Sequence, residues 1–288
     1  MTPAQTHKVI LATYFTLAGN VRPLAGSIVS PVPFPARAAA AGGAGFEGFG
    51  FAQEDLDHVL TGLSYREIGT ILADNNLRHV EIEVLLDWFC NGERRRVSDA
   101  TRRAMLTSAE RLGASHIKVC GDITGANWPL EVVIESFAQL CDQARDAGTR
   151  VGIELFPGSS IADLGAGLAI VQGAGRDNGG LLLDIWHMVR GGIPFEEIAG
   201  LPPGSIIHVE LDDAAAVGTG PILEDTIERR RLCGQGDFDI PGFLRSVART
   251  GYEGLYGVEI LSDEHRALDV EEAARRAYES TRTCLDRL

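Results

Sequence analysis

Eight short apolar runs recur along the chain, each ending in glycine or polar residues. They are Val9–Leu17, Gly45–Phe51, Leu77–Leu85, Ala114–Gly121, Arg150–Phe156, Gly180–Ile185, Ser205–Asp212 and Leu255–Leu261. Runs of this length, rich in β-branched residues or leucine, read as buried strands. The segments between them read as helices. Leu130, Val133, Ile134, Phe137, Leu140 and Cys141 fall at helical spacing behind Pro129. Ser64 and Glu67 are placed as a capping box ahead of Ile68, Ile71 and Leu72, and Asp269 and Glu272 ahead of Ala273, Ala274 and Ala277. A helix carrying Met105, Ala109 and Leu112 is expected from near Ser98 to Gly113. The least regular stretch is Ser30–Ala44, with three prolines followed by an alanine-glycine run.

Eight strands alternating with helices predict a parallel (β/α)8 TIM barrel of the α/β class, with an open doubly wound sheet as the alternative. The 288 residues divide into 36 per unit. No proline- or serine-rich linker interrupts them, so residues 1–288 are read as a single domain. Gly43, Gly45 and Gly48 match G-x-G-x-x-G, but they follow a helix and run into a strand. A dinucleotide site needs the reverse order.

Strand parity indicates which side chains face the barrel axis. Val151, Ile153 and Leu155 share one parity, which turns Gly152, Glu154 and Phe156 inward. By the same reasoning Asp184 faces inward from the sixth strand, His208, Glu210 and Asp212 from the seventh, and Glu259 from the eighth. His79, Glu81 and Glu83 share inward parity in the third strand, and His116, Lys118 and Cys120 in the fourth. Four consecutive strands thus aim acids at the axis near their C-terminal ends, where barrels of this kind carry their chemistry.

Ionised carboxylates crowded out of water need compensation. One source is a divalent cation, with Mg²⁺ or Mn²⁺ suited to oxygen ligands and Co²⁺, Ni²⁺ or Zn²⁺ added if an imidazole joins them. The other is pairing with Lys118, Arg229, Arg230 or Arg231. Lys118 could also hold a substrate oxygen or form a Schiff base.

The charge of −14, from 26 basic and 40 acidic residues, argues against binding a polyanion, so no nucleic-acid partner is expected. No apolar run approaches the roughly 18 residues of a membrane span. Five scattered cysteines with no C-x-x-C pair suit reduced thiols. Met1–Lys8 is short and polar, and Val9–Ala12 is too short for a signal-peptide core. A cytoplasmic location is the expectation.

Five segments carry a family resemblance: VGIELFPG (151–158), LLLDIWH (181–187), HVELDDA (208–214), RRLCGQGDFD (230–239) and GVEILS (257–262). They resemble the xylose-isomerase-like sugar phosphate isomerase/epimerase superfamily. That resemblance implies metal ligands at Glu154, Asp184 and Glu259. The family's seventh-strand ligand, often histidine or glutamine three residues before an aspartate, falls on Glu210, with His208 second. His187 resembles a substrate-binding histidine and Arg231 a substrate-binding arginine. Gln235 and Cys233 depart from the family's usual glutamate and proline. Barrels of this type commonly form dimers or tetramers.

The resulting expectation is a metal-dependent isomerase or epimerase acting on a small sugar or keto-sugar. Glu154 and Glu259 would act as base and acid on opposite faces of a carbon next to a carbonyl. Lys118, His187, His208, Trp186 and Arg231 would bind substrate. The alternative keeps the enolate chemistry but expels a β-leaving group, as in a dehydratase or a 3-oxo-glycoside- or C-glycoside-cleaving lyase. The inserts Asp87–Val97 and Gly218–Gln235 would then shape an aglycone site, with Trp88, Phe89, Trp128 and Trp186 as stacking candidates. A non-catalytic barrel subunit and a Lys118 Schiff-base aldolase complete the alternatives.

Overall fold

The computed structural model describes residues 7–287, so most of the polar Met1–Lys8 segment lies outside the described residues. Eight parallel strands close into a barrel in chain order, each hydrogen-bonded to its sequence neighbours and the last to the first. They are β1 (Ile10–Ala12), β2 (Gly48–Ala52), β3 (His79–Leu85), β4 (His116–Cys120), β5 (Arg150–Glu154), β6 (Gly179–Asp184), β7 (Ile206–Leu211) and β8 (Tyr256–Val258). The open-sheet alternative is thereby excluded.

One strand parity builds the apolar layer. Val151, Ile153, Leu181, Leu183, Val209, Leu211 and Val258 are wholly buried in one continuous core. Helix Leu130–Asp146 turns Phe137, Leu140 and Cys141 into it, at the spacing its sequence shows. Ser64 and Glu67 do form a reciprocal capping box. Asp269 caps helix Val270–Leu285, but Glu272 pairs instead with Arg275 and Arg276, so only half of that box is present. All five cysteines are free and buried. No helix among the described residues is long and apolar enough to cross a membrane.

Two local expectations are corrected, and the reading of the glycine motif as no dinucleotide site holds. The first strand stops at Ala12, and Tyr14–Leu17 coil into a helical turn. The Thr13 and Thr16 hydroxyls both donate to the Val258 carbonyl, which draws the chain out of the extended course. The helix expected from Ser98 begins at Gly92. Its first turns are stabilised by pairs of Arg96 with Glu93 and Arg95 with Asp99, so half of the Asp87–Val97 insert is helix. In the glycine motif, Gly45 ends helix Phe34–Ala44 in a left-handed conformation (φ 109°). Gly48 opens β2, where a Cβ would lie 2.8 Å from the Leu11 side chain. These glycines serve close packing, with no phosphate cradle.

Candidate active site

The inward residues of β5–β8 meet at the C-terminal mouth. Asp184 and Glu210 are level in the β6–β7 register. Glu259, just past β8, is held there by its backbone N–H donating to the Leu211 carbonyl. Glu154, Asp184, Glu210 and Glu259 each offer an oxygen within 4.8 Å of the others, and all four are buried. The structure thus brings together the four carboxylates that parity turned inward.

Two buried cations thread this acid cluster. Lys118 Nζ lies 2.8 Å from Glu83, 2.7 Å from Glu210, 2.9 Å from Glu259 and 3.8 Å from Glu154. Arg230 Nη1 donates to Asp184 at 2.6 Å and Asp212 at 2.5 Å, and lies 3.0 Å from Glu259. Thr226 anchors the same guanidinium through its hydroxyl and carbonyl. Both modes of compensation therefore bear on one site. Six carboxyl groups surround two permanent cations, which leaves negative charge uncovered.

The electrostatics follow from that imbalance. Burial would raise the Glu154 carboxyl, but Lys118, His187 and Arg230 bring it down to about 2. Burial wins at Glu83, which rises to about 8 with the charges of Glu81 and Glu259 adding to the effect. Burial also holds Glu210 and Asp212 well above the ordinary range. Burial opposes the Lys118 charge, but Glu210, Glu259 and Glu83 keep the ammonium protonated beyond its usual value. A firmly held ammonium is a poor nucleophile, which argues against the Schiff-base alternative.

The fit to a divalent ion rests on two observations. The four-carboxylate set is all oxygen, the donor type that hard cations take. Buried Glu210 takes Lys118 on Oε1 at 2.7 Å, and its Oε2 has no hydrogen-bond donor. Asp184 is more occupied: Oδ1 caps helix Ile185–Arg190 by accepting from the Trp186 and His187 amides, and Oδ2 takes Arg230.

The remaining expected site residues divide. His187 reaches the mouth, with Nε2 3.2 Å from Glu154, and lines the pocket above the acids. His208 does not. It lies one layer deeper, fully buried, 3.3 Å from Glu81 and against the His116 ring. Gly257 makes room for it, since a Cβ there would sit 2.6 Å from His208 Nε2. That layer holds Glu81 2.7 Å from His116. Trp186 is also buried behind the site, its ring centre 5.5 Å from the Arg230 guanidinium, because the helix capped by Asp184 turns it away from the pocket. Trp88 donates to the Cys120 carbonyl and Trp128 to Asp122, with Phe89 between their rings. None of these four aromatics lines the pocket.

Arg231 is exposed, and its backbone pairs antiparallel with Asp213. That bridge turns Arg230 inward, so Arg230 takes the place expected for Arg231. Asp213 accepts from the Gly234 and Phe238 amides and orders the loop that carries the arginines. Sequence reasoning missed Glu83 as a site residue, although its inward parity was the available signal. It also missed Phe15, Leu24 and Phe156 in the pocket wall. Leu24 and Phe15 come from loop and helical-turn segments that carry no strand parity.

Comparison with known proteins agrees with this architecture. The chain is 29% identical over 238 residues to a 3-dehydroshikimate dehydratase of Pseudomonas aeruginosa, covering 81% of this chain and 37% of that protein. It is 27% identical over 150 residues to an inosose isomerase of Halalkalibacterium halodurans, covering 51% and 52% respectively. The chain thus spans between about two fifths and half of these curated relatives. Among solved structures, the IOLI protein with a bound zinc atom superposes with a TM-score of 0.84 at 19% identity, covering 98% of this chain and 99% of that one. An L-ribulose 3-epimerase gives 0.72 at 17% identity, covering 97% and 95%. Residues 35–284 match the family itself, and the chain belongs to the xylose isomerase-like TIM barrel family.

Proposed function

We propose that this chain is a divalent-metal-dependent isomerase or epimerase that removes a proton from the carbon next to a carbonyl. The observation that carries the reading is the set of four buried carboxylates, one at or just past the end of each of β5–β8, beneath a pocket lined by His187, Lys118 and Arg230. Glu154, Asp184, Glu210 and Glu259 would hold the ion, with Mg²⁺ or Mn²⁺ favoured by the all-oxygen set. When bound, it lowers the cost of negative charge on the substrate's adjacent oxygens.

The chain's own residues supply the rest. Glu154 at the end of β5 and Glu259 just past β8 both line the pocket, and would serve as the base and the acid for proton removal and return at a carbon next to the carbonyl. Lys118 and Arg230 place fixed positive charge where an enediolate develops. His187, hydrogen-bonded to Glu154, orients that carboxylate and offers a donor to a substrate oxygen. Glu83 lines the same pocket outside the four-carboxylate set, and its value near 8 suits proton transfer at neutral pH.

A second reading has the same first step followed by loss of a β-leaving group. It is favoured by the dehydratase among the relatives. Solvent-deuterium exchange separates the outcomes. Exchange into keto-sugars or inososes without a released fragment supports the isomerase reading, and a released water or aglycone supports elimination. A protein that binds no divalent ion and is indifferent to EDTA refutes both.

A further inference from the structure

A second cavity, of about 1200 Å³, opens beside the pocket over the acids and shares Phe15, Leu24, Glu83 and Leu86 with it. Its further polar side chains are Gln53, Glu54, Asp57 and Thr101, and no lysine, arginine or histidine lines it. Gln53, Glu54 and Asp57 belong to helix Gln53–Val59, and Thr101 to helix Gly92–Leu112.

The side-chain donors on this lining are already spent. Gln53 Nε2 donates to Asp57 Oδ1 at 2.7 Å, and the Thr101 hydroxyl donates to the Val97 carbonyl. Both Glu83 oxygens are taken, one by the Tyr14 amide at 2.7 Å and the other by Lys118 at 2.8 Å. Spare acceptors remain. Glu54 is engaged only at Oε1, by Ser27 and Ile28, and Asp57 only at Oδ1.

Gln53 carries an independent signal. It is 5% exposed, and its Oε1 has no hydrogen-bond partner. The Asp57 carboxylate can only accept, so it fixes which end of the carboxamide is nitrogen and leaves the oxygen as the unpaired end. Because Asp57 itself lines the cavity, that carboxamide stands at the cavity wall. A buried acceptor without a donor costs free energy that a ligand donor would return.

The donor sought is wider than a bare metal ion. Among the described residues, neither Glu54 nor Asp57 belongs to a group of acids, histidines or cysteines close enough together to hold one. A hydroxyl brings one donor and two lone pairs, and those lone pairs would meet no free side-chain donor here. An ammonium brings three donors and no acceptor. Its charge also matches two carboxylates in a space where no cation competes.

We infer that this cavity is a subsite for a protonated amine, and that the molecule turned over at the four carboxylates carries one. Its carbonyl and hydroxyl oxygens lie over the acids, and its ammonium lies against Gln53 Oε1 and the Asp57 carboxylate. The subsite is read from the cavity alone. Its assignment to the substrate rests on the proton-abstraction reading.

Isothermal titration of the full chain, with Mg²⁺ and again in EDTA, tests this with two isosteric pairs: 1-amino-1-deoxy-D-fructose against D-fructose, and D-glucosamine against D-glucose. In at least one pair the protonated amine should bind at least about tenfold tighter than its hydroxyl counterpart. Gln53→Met removes the unpaired carbonyl, and Asp57→Asn removes charge at an exposed side chain. Each should erase at least about fivefold of the preference. Asp57→Asn keeps the test valid if the buried Gln53→Met is destabilised. Glu279→Gln, an exposed acid outside both cavities, should leave the preference unchanged. No preference in either pair overturns the inference. So does a preference that survives both cavity variants, because the attraction would then belong to the overall charge of the chain. Deuterium exchange in D₂O keeps the subsite and the reaction apart. Amine preference without exchange into any probe removes the proton-abstraction reading and leaves the subsite standing. Exchange into D-fructose and its amino analogue with equal affinity for both does the reverse.

Discussion

The barrel interior holds two polar layers built from the same residue types, and they differ in how their charge is closed. In the lower layer Glu81 stands between the His116 and His208 imidazoles, fully buried and away from the pocket. Burial would raise Glu81, but His116, Lys118 and His208 bring it down to about 2, and burial with the neighbouring His116 drives His208 well below its ordinary value. One carboxylate and two imidazoles can balance themselves. In the upper layer six carboxyl groups share Lys118 and Arg230, and the surplus faces a pocket. A residue inventory would rate the layers alike. The open charge, together with access, marks the upper one as the place of chemistry.

The strongest way to break that contrast is Lys118→Met. It leaves Glu83, Glu210 and Glu259 buried with one cation fewer, and without metal it should cost about 3 kcal/mol or more of stability. Mg²⁺ should restore most of the loss, since a divalent ion then supplies the missing positive charge. Urea melts with and without Mg²⁺ measure both numbers. If the ion leaves the variant's midpoint unmoved, the upper layer is closed like the lower one.

Glu259→Gln asks whether the open layer does the chemistry. The amide keeps the shape and removes the ionisable oxygen. Deuterium exchange should fall at least about 10²-fold, while the far-ultraviolet spectrum and the melting midpoint stay close to wild type. Unaffected turnover would remove Glu259 from the proposed acid–base pair.

Glu81→Gln is the matching change below. It should cost about 1–3 kcal/mol, because His116 loses its charged partner, and it should leave exchange unchanged. The sign with pH is fixed by a folded-state value lowered from 4.5 to about 2. The stability that Glu81 contributes is fully present above 4.5 and is lost as the pH falls toward 2. The gap between wild type and variant should therefore narrow through that interval. A gap that widens on acidification would mean that Glu81 is protonated in the folded protein.

Strand period made much of this legible. Each of the eight apolar runs overlaps a strand, and the inward parity of Glu154, Asp184, Glu210 and Glu259 needed no more than alternation against buried leucines and valines. Depth was not legible. His208 and Glu210 share a parity, a strand and full burial, and only the barrel's layering sets one beside Glu81 and the other beside Lys118 in the acid cluster. The pocket wall was not legible either, because Leu24, Leu223 and Ile227 lie where no two-residue period applies.

The arginine run Arg229–Arg231 is the sharpest case, and it supports the smallest effect expected here. Three successive arginines carry no signal for which one turns inward. The antiparallel bridge between Asp213 and Arg231 decides it, placing Arg230 among Asp184, Asp212 and Glu259 and leaving Arg231 in solvent. Arg231→Ala should therefore change stability by no more than about 0.5 kcal/mol and leave exchange untouched. The conservative Arg230→Lys, which cannot reproduce the forked contacts, should slow exchange measurably. Side-by-side exchange rates for the two variants test the bridge register directly. A larger loss from Arg231→Ala than from Arg230→Lys would put the loop one residue out of register and Arg231 in the open layer.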